Sequence, residues 1–180
     1  MRQHQQVRKV AVISRGAGQS GQALLEFTFT AMILIVMAFG LIDFGRAIYN
    51  KQVITNLTRE GSNLASRGTT LPDTATAVIT GSAPLNLGLN GRVIVTKVTN
   101  TGSAGAGVFT IAGQESRGGI SASSKIGSLG GTAALPTAAQ PLPNASVYVT
   151  EVFYAFSPIT PVGSLLSVAM PSTMYDIAYF

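Results

Sequence analysis

Chemistry in this chain is limited first by which side chains are available to perform it. There is no cysteine, so disulfides, thiol nucleophiles and a lipidated cysteine anchor are excluded. The single histidine, His4, lies in the N-terminal leader expected at 1–21, so a histidine-based catalytic centre outside the membrane is excluded. The acids Glu26, Asp43, Glu60, Asp73, Glu115, Glu151 and Asp176 are scattered, without metal-ligand spacing. Two carboxylates distant in sequence can still meet in space, but no motif marks such a pair. The expectation is a protein that is not an enzyme and takes no cofactor and no metal.

One chemically suggestive motif is literal. KVAVIS at 9–14 reads as a short strand and is followed by Gly16-Ala17-Gly18-Gln19-Ser20-Gly21, a G-x-G-x-x-G before a helix. In a dinucleotide-binding fold such glycines let the backbone approach a pyrophosphate. That fold also requires an amphipathic helix and a second parallel strand ending in an acid. Here the helix that follows is apolar all round, Asp43 stands at its end, and no further βαβ unit appears. Nucleic acid fares no better as a partner. Four of the twelve basic residues fall within residues 1–21; beyond them eight basic residues face seven acids, which leaves no basic patch.

The element that must position everything else is Ala23 to Ile42, ALLEFTFTAMILIVMAFGLI, twenty positions with Glu26 as the only ionisable residue. At 1.5 Å per residue this matches a bilayer hydrocarbon core of roughly 30 Å, so a transmembrane helix over 23–42 is expected. Threonine hydroxyls within it can bond a carbonyl one turn back. Arg2, Arg8, Lys9 and Arg15 precede the run with no acid among them, which by the positive-inside rule places the N-terminus in the cytoplasm and residues after 43 outside. A cleaved secretory signal is the competing reading, with Ala38 and Gly40 as a weak small-residue match. Its apolar run would be longer than the usual 7–15 residues.

Residues 21–27 also fit a processing site. Gly21 precedes Gln22-Ala23-Leu24-Leu25-Glu26-Phe27, a small residue before a helix with an acid at its fifth position and an aromatic at its sixth. This resembles the prepilin-peptidase motif of type IV pilins, and more closely that of TadE- and TadF-like minor pilins (pseudopilins) of Tad (tight adherence, type IVc) pili. Phe27 stands where that family usually has tyrosine, which loses a hydroxyl and keeps the ring. Downstream, Gly40, Asp43, Phe44, Gly45, Arg46, Arg59, Glu60 and Gly61 occupy positions of the family's G-x-x-D-F-G-R-A and A-R-E-G-A-R segments, and EVFYAFSPITP is similar to its Y-x-F-x-P-x-T-P strand end. The resemblance implies cleavage after Gly21, with Gly21, Gln22, Glu26 and Phe27 as the processing site, and an assembly role for Glu26.

From Phe44 to about Arg67 the apolar pattern turns periodic. Phe44, Ala47, Ile48, Ile54, Leu57, Gly61, Leu64 and Ala65 share one broad face, so one helix is expected over 22–67, its second half amphipathic. Gly68 is placed to cap it, and Pro72 to prevent its resumption. Residues 68–91 read as a connector. The remainder, 92–180, reads as a β-rich extracytoplasmic head with strands at 92–99, 146–156 and 173–180. Between them, 100–145 reads as a Gly/Ser-rich insertion, partly mobile, with only Val108 to Ile111 as a short strand candidate. The expected fold is α+β and pilin-like: a cytoplasmic basic leader (1–21), then a long N-terminal helix, transmembrane in its first half, packed on a small antiparallel sheet.

Two functions follow. The first is a Tad-type minor pilin, cut after Gly21 by a prepilin peptidase and assembled through its N-terminal helix for pilus biogenesis and surface adhesion. Its partners would be other pilus subunits, the Tad assembly machinery, the peptidase and the membrane. It would reside in the bacterial inner membrane before assembly and in an extracytoplasmic or cell-surface pilus afterwards. The second is an uncut single-pass membrane protein with an extracytoplasmic binding domain. Asn56-Leu57-Thr58 and Asn144-Ala145-Ser146 are formal glycosylation sequons of a kind that arises often by chance.

Overall fold

The computed structural model describes residues 16–102, 107–163 and 171–180, with the side chains described from Gly21 onward. The strand expected at 9–14 lies outside the described residues. An α-helix, α1 (Gly16–Ser66), is followed by α2 (Leu71–Thr80), α3 (Leu87–Asn90) and four strands: β1 (Gly91–Asn100), β2 (Phe109–Gly118), β3 (Ser146–Ala155) and β4 (Thr173–Tyr179). The strands form one antiparallel sheet in the order β2-β1-β3-β4. The fold is α+β, a long N-terminal helix followed by a small antiparallel sheet.

The backbone of α1 starts earlier than expected, so the glycines of the G-x-G-x-x-G run are helical rather than a phosphate-cradling loop. Its C-terminus closes as the 3.6-residue pattern anticipates. Gly68 has φ +97°, the Thr69 amide donates to the Leu64 carbonyl (3.2 Å), and the Gly68 amide donates to that of Ala65 (3.1 Å). This is the paired bonding of a helix ending on a left-handed glycine.

The connector at 68–91 contains structure that the reading as a linker omits. Pro72 does stop α1 from resuming, but it also begins α2, where a proline costs no hydrogen bond. Thr70 caps α2: its hydroxyl accepts from the Asp73 amide (3.2 Å) and donates to the Asp73 carboxylate (2.6 Å).

One face of the sheet is covered by the second half of α1 together with α2. Ile54, Leu57 and Ala65 of α1, and Ala75 and Val78 of α2, enclose Val93, Val95, Val152 and Met174. The α1 backbone comes closest at Gly61, where an added Cβ would stand 2.9 Å from Thr150 of β3 and 2.9 Å from Val78 of α2. Of the periodic face expected on α1, Phe44 and Ile48 remain exposed; the turn is completed instead by polar residues, Asp43, Thr58 and Ser62.

Within the insertion expected at 100–145, where only Val108 to Ile111 reads as a strand candidate, the structure adds two features. Strand β2 extends over ten residues and pairs with β1 throughout, with a register shift opposite Lys97/Val98. Its Ala-Gly-Gln-Glu-Ser-Arg-Gly stretch has little strand preference of its own. Main-chain pairing to a central strand outweighs that, because β-preference mostly measures fit to neighbours. Residues 119–135 then fold across the second face of the sheet, where Ile126 and Ala133 pack with Val98, Ile111, Val147 and Val149. Backbone bonds hold the cover down, including Ala133 to Phe109 (2.7 Å) and Ile111 to Gly131 (2.9 Å). Buried Glu151 fastens it: its carboxylate accepts from Ser124 Oγ, the Lys125 amide (2.8 Å) and Tyr175 Oη (2.9 Å).

Candidate processing site and helix anchorage

Gly21, Gln22, Glu26 and Phe27 all lie within α1, on a stretch that no other described part of the chain covers. Phe27 is 71 % exposed, and Leu24, Leu25, Met32, Ile33, Leu34 and Leu41 are each more than half exposed. A soluble protein would not leave so long an apolar cylinder in water, at about 25 cal/mol per Å² of apolar surface. Among the described residues, this is the one helix long and apolar enough to cross a membrane. Its backbone needs nothing from outside, because every interior amide bonds within the helix, and Thr28 Oγ1 donates back to the Leu24 carbonyl (2.8 Å).

Within the site, Gln22 and Glu26 stand one turn apart on the same side of the helix, separated by about 6 Å of rise. A Cβ added at Gly21 would meet nothing within 4 Å. Among the described residues, nothing therefore places a steric demand for glycine there. A requirement for glycine at this position would have to come from another molecule.

Where the apolar run ends, the helix is tied to the head. Asp43, fully buried, accepts from the Ile159 amide (2.9 Å), from the Thr160 amide (3.3 Å) and from the Thr160 hydroxyl. Arg46, one turn on, lies 3.9 Å from the Asp43 carboxylate, donates to the Ser157 carbonyl (3.5 Å) and sits 5.9 Å over the Phe156 ring. The first turns beyond the apolar run are thus locked to the segment that follows β3. Gly163 belongs to the same contact, since a Cβ there would approach Asp43 to 3.1 Å and Pro158 to 2.2 Å.

The anchorage continues along α1 as a row of polar contacts. Lys51 Nζ donates to Asp176 (2.6 Å) and to the Tyr175 carbonyl (2.8 Å), Thr58 to Asp176 (3.1 Å), and Ser62 to the Ala178 carbonyl (2.9 Å). Burial pushes the Asp176 carboxyl up, but the hydrogen bonds from Lys51, Thr55 and Thr58 and the Lys51 charge outweigh it and hold the group below the ordinary carboxylate value. Apolar periodicity alone did not reveal this row. A usable signal was present, because Asp43, Ala47, Asn50, Ile54, Thr58, Gly61 and Ala65 recur at three- and four-residue spacing whether polar or not. Arg59 and Glu60 point to solvent. Asp43, Asp73, Glu151 and Asp176 each have separate hydrogen-bonding partners, and Glu115 lies 3.5 Å from Arg117, so none of these acids is placed for paired-carboxylate chemistry.

An apolar N-terminal half-helix that the described residues leave uncovered, with a head clasped to it where the apolar run ends, suggests a membrane-anchored protein. Residues 21–63 of the chain match the family of TadE-like proteins. The match begins at Gly21 and runs through Glu26 and Asp43 to the close approach at Gly61, so it covers the uncovered half of α1 and most of the anchored half. That family suggests a Tad-pilus-associated, pilin-like protein, structural rather than catalytic. No curated protein and no solved structure matches the chain.

Proposed function

We propose that this chain is a minor pilin or pseudopilin of a Tad-type pilus, cut after Gly21 by a prepilin peptidase and assembled through the first half of α1, in support of pilus biogenesis and surface adhesion. The observation that carries this reading is the coincidence of the TadE-like match with a helix whose apolar first half is left unburied by the described residues. Such a helix needs lipid before assembly and other helices after it, which is the requirement placed on a subunit that leaves the inner membrane for a fibre. Packing among apolar helices replaces lipid contacts with protein contacts at little hydrophobic cost, so extraction from the bilayer becomes feasible.

Cleavage would convert the Gln22 amide nitrogen into an α-ammonium one turn from Glu26. In a packed array a neighbour's ammonium can neutralise that carboxylate, which would otherwise be costly among apolar side chains. The peptidase, other pilus subunits and the Tad assembly machinery are the partners this reading requires. Sequencing the N-terminus of protein recovered from a host with a matching peptidase tests it. A start at Gln22 is expected. An intact Met1 there would favour instead the uncut single-pass protein with an extracytoplasmic binding domain.

A further inference from the structure

We infer that the segment from Ser157 to Gly163 is a second membrane contact, resting in the headgroup layer beside the point where α1 leaves the hydrocarbon. The inference rests on the reading of residues 23–42 as a membrane span, and it adds a surface and a partner, the lipid interface, that the span alone does not require.

The depth of this segment follows from the clasp. The apolar run ends at Ile42, so Asp43 stands one residue, about 1.5 Å, further along the axis. Its carboxylate holds the backbone amides of Ile159 and Thr160 at 2.9 and 3.3 Å. The interfacial layer on each side of a bilayer is about 5–7 Å thick, so a backbone bonded to residue 43 lies within it. The head therefore sits on the membrane.

What this segment offers suits that location. Ile159 is 65 % exposed although the amide contacts to Asp43 are fixed, and Phe44, one residue beyond Asp43 on the helix, is 57 % exposed. Apolar and aromatic groups beside a polar backbone suit the interface, where a side chain can be apolar on one side and wet on the other. Arg46 is partly exposed there, close enough to serve a lipid phosphate as well as the Ser157 carbonyl. Pro158 and Pro161 and the tight approach of Gly163 to Pro158 limit how far the segment can bend away.

The absence of tryptophan from the chain makes a direct test possible. Three single-tryptophan variants of the full chain, Leu34→Trp, Ile159→Trp and Leu142→Trp, would be reconstituted in phosphatidylcholine–phosphatidylglycerol vesicles carrying nitroxide lipids labelled either near the headgroup or in mid-chain. Leu142 is 78 % exposed and lies beyond the opposite end of β1, roughly 30 Å from the clasp, so it reports the water phase. Expected are mid-chain quenching of Leu34→Trp, roughly twofold headgroup-level quenching with a blue shift for Ile159→Trp, and neither for Leu142→Trp. Ile159→Trp as unquenched as Leu142→Trp, with Leu34→Trp still quenched, would overturn the contact and leave the span intact. Failure of Leu34→Trp to be quenched would overturn both. Equal headgroup quenching of Ile159→Trp and Leu142→Trp would show that tryptophan itself seeks the interface and would likewise overturn the assignment.

Discussion

Three glycines of the segment that matches the TadE-like family play different parts, and their surroundings separate them. A side chain at Gly21 or Gly45 would meet nothing within 4 Å, whereas one at Gly61 would strike Thr150 and Val78 at 2.9 Å. A side chain at Gly21 therefore clashes with none of the described residues. A peptidase cutting after Gly21 must fit an extended backbone closely, which glycine permits and a bulky side chain obstructs. Gly21→Leu is expected to retain the full 18.6 kDa chain on a gel, whereas the parent loses about 2 kDa of leader in a host with the matching peptidase. Equal mobility of the two would remove the cleavage assignment. Gly21 as a small residue before an acid was legible in the sequence; that the described residues supply no steric reason for it was not.

At the scale of elements, α1 is held to the sheet by apolar contact along one line and polar contact along another. Gly61 is the pinch point of the first. Gly61→Val adds three carbons against Thr150 and Val78, and overpacking of this kind costs about 1–3 kcal/mol, more than the few tenths of a kcal/mol that valine gains over glycine in helix preference. A lower midpoint for thermal unfolding in detergent micelles is expected, with helicity at low temperature retained; an unchanged midpoint would mean that α1 is free to shift on the sheet.

The second line predicts an acid response. Because the folded state holds the Asp176 carboxyl below its ordinary value near ~3.9, its contact with Lys51 contributes stability above that pH, and the contribution is lost as pH falls through the lower folded value. The unfolding midpoint of the parent should therefore drop more between pH 5 and pH 2 than that of Asp176→Asn, which has no carboxylate to titrate. Parallel pH profiles would remove Asp176 from the account. The pattern of α1 foretold a helix with an inward apolar face; it did not foretell that Lys51, Thr58 and Ser62 would find Asp176 and Ala178, since those partners lie more than a hundred residues later.

For the whole molecule, the division is between the part that packs on the sheet and the apolar first half of α1, which the described residues leave unburied. If subunits pack through the uncovered half of α1, the only ionisable group in the run, Glu26, sets how one helix is staggered against the next. Its pairing with a neighbour's new α-ammonium would be a matter of registry more than of net stability, because desolvating two charges offsets most of their attraction. Glu26→Ala is accordingly expected to insert and to be cut after Gly21, yet to be depleted in sheared pilus fractions relative to its level in the membrane. Normal recovery would make the carboxylate an interfacial bystander, tolerated near the start of a helix.

By itself the sequence determined those features that depend on runs and local periods. A twenty-residue run with a single ionisable group makes a helix long and apolar enough to cross a membrane, a left-handed glycine ends the helix at Gly68, and alternating β-branched and aromatic residues mark β1, β3 and β4. These preferences act over a turn or a strand length, so they are written in neighbouring residues. Only tertiary structure decided that Asp43 clasps Ile159 and Thr160, that β2 continues through a glycine-rich stretch as an edge strand, and that Glu151 pins residues 124 and 125 across the sheet. Each of these depends on groups brought together from distant positions. A buried carboxylate is tolerated only where several donors converge on it, and a weak strand only where a stronger one presents its backbone. Such convergence is a property of the folded chain, with no counterpart in any single window of its sequence.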